Sequence, residues 1–285
     1  MKKISILDGA IGTELILKGE KLPPFIWSAE TNLKKPQLLL DIYKDYVKSG
    51  ANYITTNTFR TTARAYKKTG LSNAKANEIA KKSMQSAVQI ARKAANQSIK
   101  ILGSIAPLED CYSPKLFPGF QIAKNEFSII AKNLKDGGID GYIMETMNSI
   151  TETRACLEAI QCYKLPIWIS FNLLNYNHIK SWETLENAIN TVNEYNVNYI
   201  LLNCNPLERT KKALNLISTK CSNWGIYPNL GIGEPSPNGI INQYYSDDQF
   251  ITLCKESIDL GATVIGGCCG TSPRHIKLLK DNFIN

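Results

Sequence analysis

Thr263-Val264-Ile265-Gly266-Gly267-Cys268-Cys269-Gly270 is a short β-branched run that stops at two glycines, two adjacent cysteines and a third glycine. Such a run reads as a buried strand that breaks into tight turns and carries two sulfurs at its end. A second apolar run, Tyr199 to Asn203, also ends at a cysteine, Cys204. Strands that finish in cysteine bring their sulfurs together when they run parallel and share one rim. This is the geometry of an α/β barrel, in which three thiolates can hold a zinc ion with its fourth position left for a substrate.

Working outward from that run, short apolar segments alternate with longer helical patterns. The strand candidates are Ile4–Leu7, Tyr53–Thr56, Ile101–Ser104, Gly141–Met144, Ile167–Phe171, Asn198–Leu202, Gly225–Tyr227 and Thr263–Ile265. Helical periodicity marks Pro36–Lys48, Ser72–Ala95, Gln121–Lys135, Thr151–Tyr163, Trp182–Tyr195, Leu207–Ser218 and Asp247–Leu260, with a short helix from Pro273. In Ser72–Ala95, Ala76, Ile79, Ala80, Met84, Ala87, Val88 and Ala91 fall at three- and four-residue steps, and Ser72 fits an N-cap. Glycine or asparagine turns follow several helices, at Gly50, Gly137-Gly138, Asn196 and Gly261. Eight strands, each followed by a helix, predict a (β/α)8 TIM barrel formed by residues 1–285 as one unit. The rival is an open doubly wound sheet. Asp8-Gly9-Ala10-Ile11-Gly12-Thr13 lacks the glycine spacing of a dinucleotide fingerprint, which disfavours it.

The composition removes other classes. No apolar stretch reaches the roughly 18 residues of a membrane span, and the opening segment does not read as a signal peptide. The expectation is a soluble, cytoplasmic protein. Lysine and arginine exceed acids by 33 to 25, but the basic pairs are scattered, so a solvated surface explains them better than nucleic-acid binding does. Eight cysteines spread irregularly through a chain of this length do not form a disulfide framework. Cys111, Cys156, Cys162, Cys221 and Cys254 are expected to be structural.

Residues just past the strands gather at one rim: Asp8 and Gly9; Asn57, Thr58 and Phe59; Ala106 and Pro107; Glu145 and Thr146; Asn172; Asn203 and Cys204; Pro228 and Asn229; Cys268 and Cys269. A zinc ion with three thiolates bears a net charge of about −1, which suits thiol ionisation better than carbonyl polarisation. Asp8 and Glu145 admit two readings, as grips for a substrate ammonium or as local caps and Asx turns. His178 and His275 look like surface or structural residues.

The chain resembles the homocysteine S-methyltransferase family over nearly its whole length. The resemblance is carried by Asp8-Gly9-Ala10-Ile11-Gly12-Thr13-Glu14, by Gly50 through Phe59, by Gly103-Ser104-Ile105-Ala106-Pro107, by Glu145-Thr146, by Asn203-Cys204 and by Gly266-Gly267-Cys268-Cys269-Gly270-Thr271. It implies a zinc-bearing barrel that methylates homocysteine to methionine, with Cys204, Cys268 and Cys269 as zinc ligands. Asp8 and Glu145 are then expected to hold the homocysteine amino group, and backbone N–H groups near Gly9 and Ala10 its carboxylate. Ala10 stands where the family has the second of two glycines. Asn57 and Asn172 join the expected substrate-binding set, and Trp27, Phe59 and Tyr112 are candidates for a sulfonium pocket. The Trp27-Ser28-Ala29, Ser170-Phe171-Asn172 and Tyr227-Pro228-Asn229 segments resemble the stand-alone branch that uses S-methylmethionine or S-adenosylmethionine. Betaine as donor, another small thiol or selenocysteine as acceptor, and a non-catalytic zinc-stabilised barrel are the alternatives. The expected partners are homocysteine and a small methyl donor, without nucleic acid or membrane.

Overall fold

The computed structural model describes residues 3–233 and 239–284. Among them, eight parallel strands alternate with helices along the chain. They run β1 (Ser5–Ile6), α1 (Ile11–Leu17), α2 (Thr31–Lys34), α3 (Pro36–Ser49), β2 (Tyr53–Thr55), α4 (Ala63–Lys67), α5 (Asn73–Ala94), β3 (Lys100–Ile105), α6 (Phe120–Gly137), β4 (Gly141–Met147) and α7 (Ile150–Ile160). Then follow β5 (Ile167–Phe171), α8 (Leu185–Asn193), β6 (Tyr199–Asn203), α9 (Leu207–Lys220), β7 (Trp224–Tyr227), α10 (Asp247–Asp259), β8 (Val264–Ile265) and α11 (Pro273–Phe283).

Each strand from β2 to β7 pairs with the next, and β8 pairs back onto β1 through Ser5↔Val264 and Ile6↔Ile265. The remaining gap closes with a bridge between Leu7 and Tyr53, supported by Asn52 N donating to Ile6 O at 2.7 Å and Asp8 N donating to Tyr53 O at 3.0 Å. Closure leaves no free sheet edge, and the chain folds as the (β/α)8 barrel that its alternation predicts.

The helices begin and stop where local chemistry directs. Ser72 caps α5 by accepting from Lys75 N, as its position suggests, and Gly50 and Gly138 end α3 and α6 in the left-handed region at φ of 110° and 93°. The helix read from Trp182 begins instead at Leu185. Thr184 caps it through Asn187 N, while Trp182 holds a left-handed φ of 70° that a helix cannot contain. The short helices α1, α2 and α4 lie outside the elements read from periodicity; seven residues or fewer give too little repeat to register.

The strand pleat sorts the barrel interior into layers. Leu7, Leu102, Ile143, Trp168, Leu201, Tyr227 and Val264 form a cluster separate from the larger core between sheet and helices, and Tyr53 packs against it. The Trp168 ring lies between those of Tyr53 and Tyr199, with centroids 4.6 Å and 4.5 Å away. Two residues farther along the strands, the same inward face carries Thr55, Ser104, Glu145, Ser170 and Asn203. An apolar floor therefore sits beneath a polar layer at the carboxyl ends of the strands. Replacing Trp168 with alanine removes the centre of that floor. It is expected to destabilise the protein by about 3–5 kcal/mol, read as a lower midpoint in denaturant unfolding.

Candidate metal centre and substrate rim

The sulfurs of Cys204, Cys268 and Cys269 all lie within 4.8 Å of one another. Cys204 and Cys269 are 3.9 Å apart. Two thiolates, each about 2.3 Å from a tetrahedral zinc, stand about 3.8 Å apart, and the Cys204–Cys269 spacing already fits that ion.

Each sulfur is placed by backbone geometry. Cys204 follows β6 with a left-handed φ of 55°, unusual for a residue with a Cβ, and this turn carries the chain out of the strand direction. Its carbonyl is held by Asn172 Nδ2 at 3.0 Å. The adjacent pair is pinned by Cys268 N donating to Pro228 O and Leu230 N donating to Cys269 O, each at 2.9 Å. Thr271 folds back to donate its hydroxyl to Cys268 O at 2.7 Å, and Gly270 takes a φ of 85° to make that turn. A Cβ on Gly267 would lie 2.4 Å from Thr271 Oγ1, which explains why the run is glycine-rich on both sides of the cysteines.

Crowding also sets the thiol acidity. Hydrogen bonds from Cys268, Cys269 and Tyr112 pull the Cys204 thiol well below its ordinary value, whereas donating to Cys204, together with burial and the Cys204 charge, holds Cys268 and Cys269 well above theirs. One negative charge is stable here without help. Three are not, unless a cation shares the site.

The two acids occupy the same rim. Asp8 is buried and accepts from Thr55 N at 2.8 Å, with the Thr55 hydroxyl 3.2 Å from its other oxygen. Burial raises its pKa well above the usual carboxylate range, and the nearby Glu145 charge pushes the same way. Glu145 lies inside β4, where the pairing with β5 is irregular between Met144 and Met147; the bulge lengthens the strand beyond the end read from sequence. Burial lifts Glu145 to about 7, against the hydrogen bond that its carboxylate accepts from Ser104 Oγ at 2.5 Å. Among the described residues the buried Tyr227 hydroxyl makes no hydrogen bond of ordinary geometry, yet it lies near enough to Glu145 to help lower that carboxyl's pKa.

Asn203 binds this layer together. Its Oδ1 accepts from Thr146 N at 3.0 Å and from Ser170 Oγ at 2.7 Å, and its Nδ2 donates to Thr146 Oγ1 at 3.1 Å. Thr146 has a φ of 58°, so one asparagine fixes a left-handed residue in β4 and lies next to another, Cys204, after β6.

Other residues expected at the site fall into distinct places. Asn172 is buried beside Cys204 with its Oδ1 unpartnered. Asn57 spends its amide on Ser28 and Asn32, donating to Ser28 O at 3.0 Å and to Asn32 Oδ1 at 2.8 Å; it ties the 27–32 segment to the end of β2. Ala10 N donates to Thr271 Oγ1 at 3.3 Å, joining the first strand loop to the cysteine turn, while a Cβ on Gly9 would reach the same oxygen at 2.8 Å. Trp27, itself at a φ of 47°, packs its indole against Gly12, where a Cβ would lie 2.7 Å from Nε1. Phe59 has the Arg60 guanidinium 5.6 Å from its ring centre, so a protein cation already occupies one face. Tyr112 has Lys180 at 5.2 Å, and its hydroxyl reaches Cys204 Sγ at 3.3 Å. Of the three aromatics proposed for a sulfonium pocket, the hydrogen bonds thus tie Tyr112 to the thiols.

Asn229 was read from sequence as a rim residue, and Thr55, Ser104 and Tyr227 only as parts of longer motifs; none of the four was assigned a role at the site. The signal was present in the strand pleat, which puts Thr55 and Ser104 on the same face as Glu145. Asn229 is fully buried, its two amide atoms make no hydrogen bond of ordinary geometry among the described residues, and it lies close enough to Cys204 to help lower that thiol's pKa. The remaining cysteines, Cys111, Cys156, Cys162, Cys221 and Cys254, are free, and all but Cys162 are buried.

Residues 5–283 match the family model described as homocysteine S-methyltransferase. The chain belongs to the homocysteine S-methyltransferase family. Among relatives, homocysteine S-methyltransferase from Escherichia coli is 27% identical over 97% of this chain and 94% of its own length. Homocysteine S-methyltransferase 3 from Zea mays is 28% identical over 96% of this chain and 88% of its own. A selenocysteine Se-methyltransferase from Brassica oleracea var. italica is 25% identical over 99% and 89%. The metallated form of the homocysteine methyltransferase MmuM from Escherichia coli superposes with a TM-score of 0.84 at 25% identity, covering 98% of this chain and 96% of that one. No described helix is long and apolar enough to cross a membrane.

Close to the rim, Glu152 of α7 is 2% exposed and accepts from Leu108 N at 2.8 Å. Burial raises its pKa from 4.5 to about 7. The folded protein therefore keeps a proton that the unfolded chain releases, so this contribution to stability is complete below pH of about 4.5 and is lost as pH rises to about 7. The loss is on the order of 3 kcal/mol. In denaturant titrations at pH 5 and pH 7.5, Glu152→Gln is expected to lose less stability than the parent over that interval; parallel losses would show that Glu152 does not titrate in this way.

Proposed function

We propose that this chain methylates the sulfur of homocysteine, giving methionine, with zinc held by Cys204, Cys268 and Cys269 and a sulfonium compound as donor. The convergence of the three sulfurs above a polar layer carries this reading. The ion, when bound, supplies positive charge that stabilises thiolates and an open position at which an incoming thiol loses its proton.

The chain's own residues supply the orientation. Asp8 and Glu145, which influence each other electrostatically, lie where they can grip the ammonium group of an amino acid. An ammonium between them would favour the ionised form of both carboxyls, offsetting the cost of their burial. Thr55 and Ser104, in the same polar layer, donate to the two carboxylates, so the acids are aimed before substrate arrives. Asn172 Oδ1 offers a further buried acceptor beside Cys204.

Charge favours a cationic methyl donor. A rim of thiolates and two carboxyls attracts a sulfonium, whose positive charge disappears as the homocysteine sulfur forms its new bond to the methyl carbon and the old carbon–sulfur bond breaks. The bonding pair leaves with the donor sulfur as a neutral thioether, and the homocysteine proton goes to solvent. The resemblance of the Trp27-Ser28-Ala29 and Tyr227-Pro228-Asn229 segments to the stand-alone branch favours S-methylmethionine or S-adenosylmethionine over betaine. A selenol acceptor is a second reading, supported by the selenocysteine Se-methyltransferase among the relatives. The reading places the whole reaction in this one barrel, in the cytoplasm.

The test is methionine formation from homocysteine by the zinc-loaded protein, with S-methylmethionine, S-adenosylmethionine and betaine supplied separately. A sulfonium is expected to be the best donor; turnover with betaine alone would reject that choice. Cys268→Ala is expected to lose retained zinc and activity together. Glu145→Ala is expected to keep zinc while raising KM for homocysteine about tenfold or more.

A further inference from the structure

The loop after β3 is braced by side chains from separate parts of the barrel. Arg60 Nη1 donates to Glu109 O at 2.7 Å, Leu108 N donates to Glu152 at 2.8 Å, and Asn148 Nδ2 donates to Cys111 O at 3.1 Å. On the far side of Tyr112, the Ser113 hydroxyl donates to Asp110 Oδ2 at 2.7 Å and Ser113 N to Asp110 O at 2.9 Å. Arg64 and Lys68 both pair with the Glu109 carboxylate. Such bracing is costly in conformational entropy, and it fixes one side chain in particular: Tyr112, whose hydroxyl ends 3.3 Å from Cys204 Sγ. A thiolate can only accept, so with Cys204 ionised the phenol is the donor. Lys180, 5.2 Å from the ring centre, strengthens that donor by drawing electron density from the oxygen.

We propose that Tyr112 is a positioning residue of the metal centre, donating an O–H hydrogen bond to the Cys204 thiolate so that this ligand keeps one orientation and a reduced charge density. The inference rests on the zinc reading above and extends it beyond the three sulfurs. Ligands of this kind commonly depend on such outer partners, whose removal weakens metal binding about 10- to 100-fold. The hydrogen bond also satisfies a sulfur lone pair that would otherwise be free to take up the incoming thiol's proton. Tyr112 thus holds the protein sulfur in its role as ligand while the substrate sulfur acts as nucleophile.

The test uses the cobalt(II)-substituted protein, because cobalt reports thiolate ligation through its charge-transfer absorption. The parent is first required to show the intense band of a thiolate-rich tetrahedral site; without it the zinc reading itself fails. Given that band, Tyr112→Phe removes only the hydroxyl. It is expected to move the band to longer wavelength and to lower metal affinity about tenfold or more in competition with a chelator. Asn148→Ala keeps the phenol but loosens its loop, and it is expected to shift both readouts the same way by a smaller amount. A Tyr112→Phe protein with the parent's band and affinity would overturn the role of Tyr112 and leave the three-sulfur site standing.

Discussion

Three thiols held within 4.8 Å of one another cannot all ionise unless a cation shares their space, and this repulsion governs the top of the barrel. It explains the divided acidity, with Cys204 ready to lose its proton and Cys268 and Cys269 resisting. It also explains why so many backbone groups are committed to holding the sulfurs still. Pro228, Leu230, Thr271 and Asn172 each spend a hydrogen bond on the peptide groups of the cysteines. A left-handed Cys204 is tolerable because its neighbours bond on either side, through Asn203 to β4 and β5 and through Asn205 to Leu173 N.

Beneath the sulfurs, the period-two pleat of the strands places function without further device. Trp168 and Leu201 close the floor, and Ser170 and Asn203, two residues on, face the same interior as hydrogen-bonding groups. Glu145 stands above Ile143 in the same way, and Thr55 above Tyr53. The apolar layer keeps water from entering from below, so the carboxyls of Asp8 and Glu145 sit in a medium that raises their pKa values and makes a positively charged partner strongly favourable. Fold and chemistry are joined at that boundary.

Much of this was legible in the amino-acid order. The alternation of strand and helix gave the barrel, and the ends of its strands gave the three cysteines and both acids as residues of one rim. Strand ends were less readable: β4 continues past Met144 because a bulge lets Glu145 and Thr146 remain within it, and no one-dimensional pattern announces a bulge. Partners separated by 40 or more residues were hidden for the same reason, among them Ser104 for Glu145 and Thr55 for Asp8. Tyr112 shows the limit most clearly. Its aromatic character suggested a place for a sulfonium, whereas its hydroxyl meets Cys204 across 92 positions of chain. Asn57 likewise looked like a substrate contact by its place after β2, yet its amide is committed to Ser28 and Asn32.

The central claim is that Cys204, Cys268 and Cys269 together hold a metal that still accepts a substrate sulfur. X-ray absorption at the zinc edge, recorded on the zinc-loaded protein before and after addition of homocysteine, tests it most directly. The account predicts three sulfur neighbours at about 2.3 Å, rising to four with homocysteine. Fewer than three sulfurs at the start, or a count that homocysteine leaves unchanged, would contradict it.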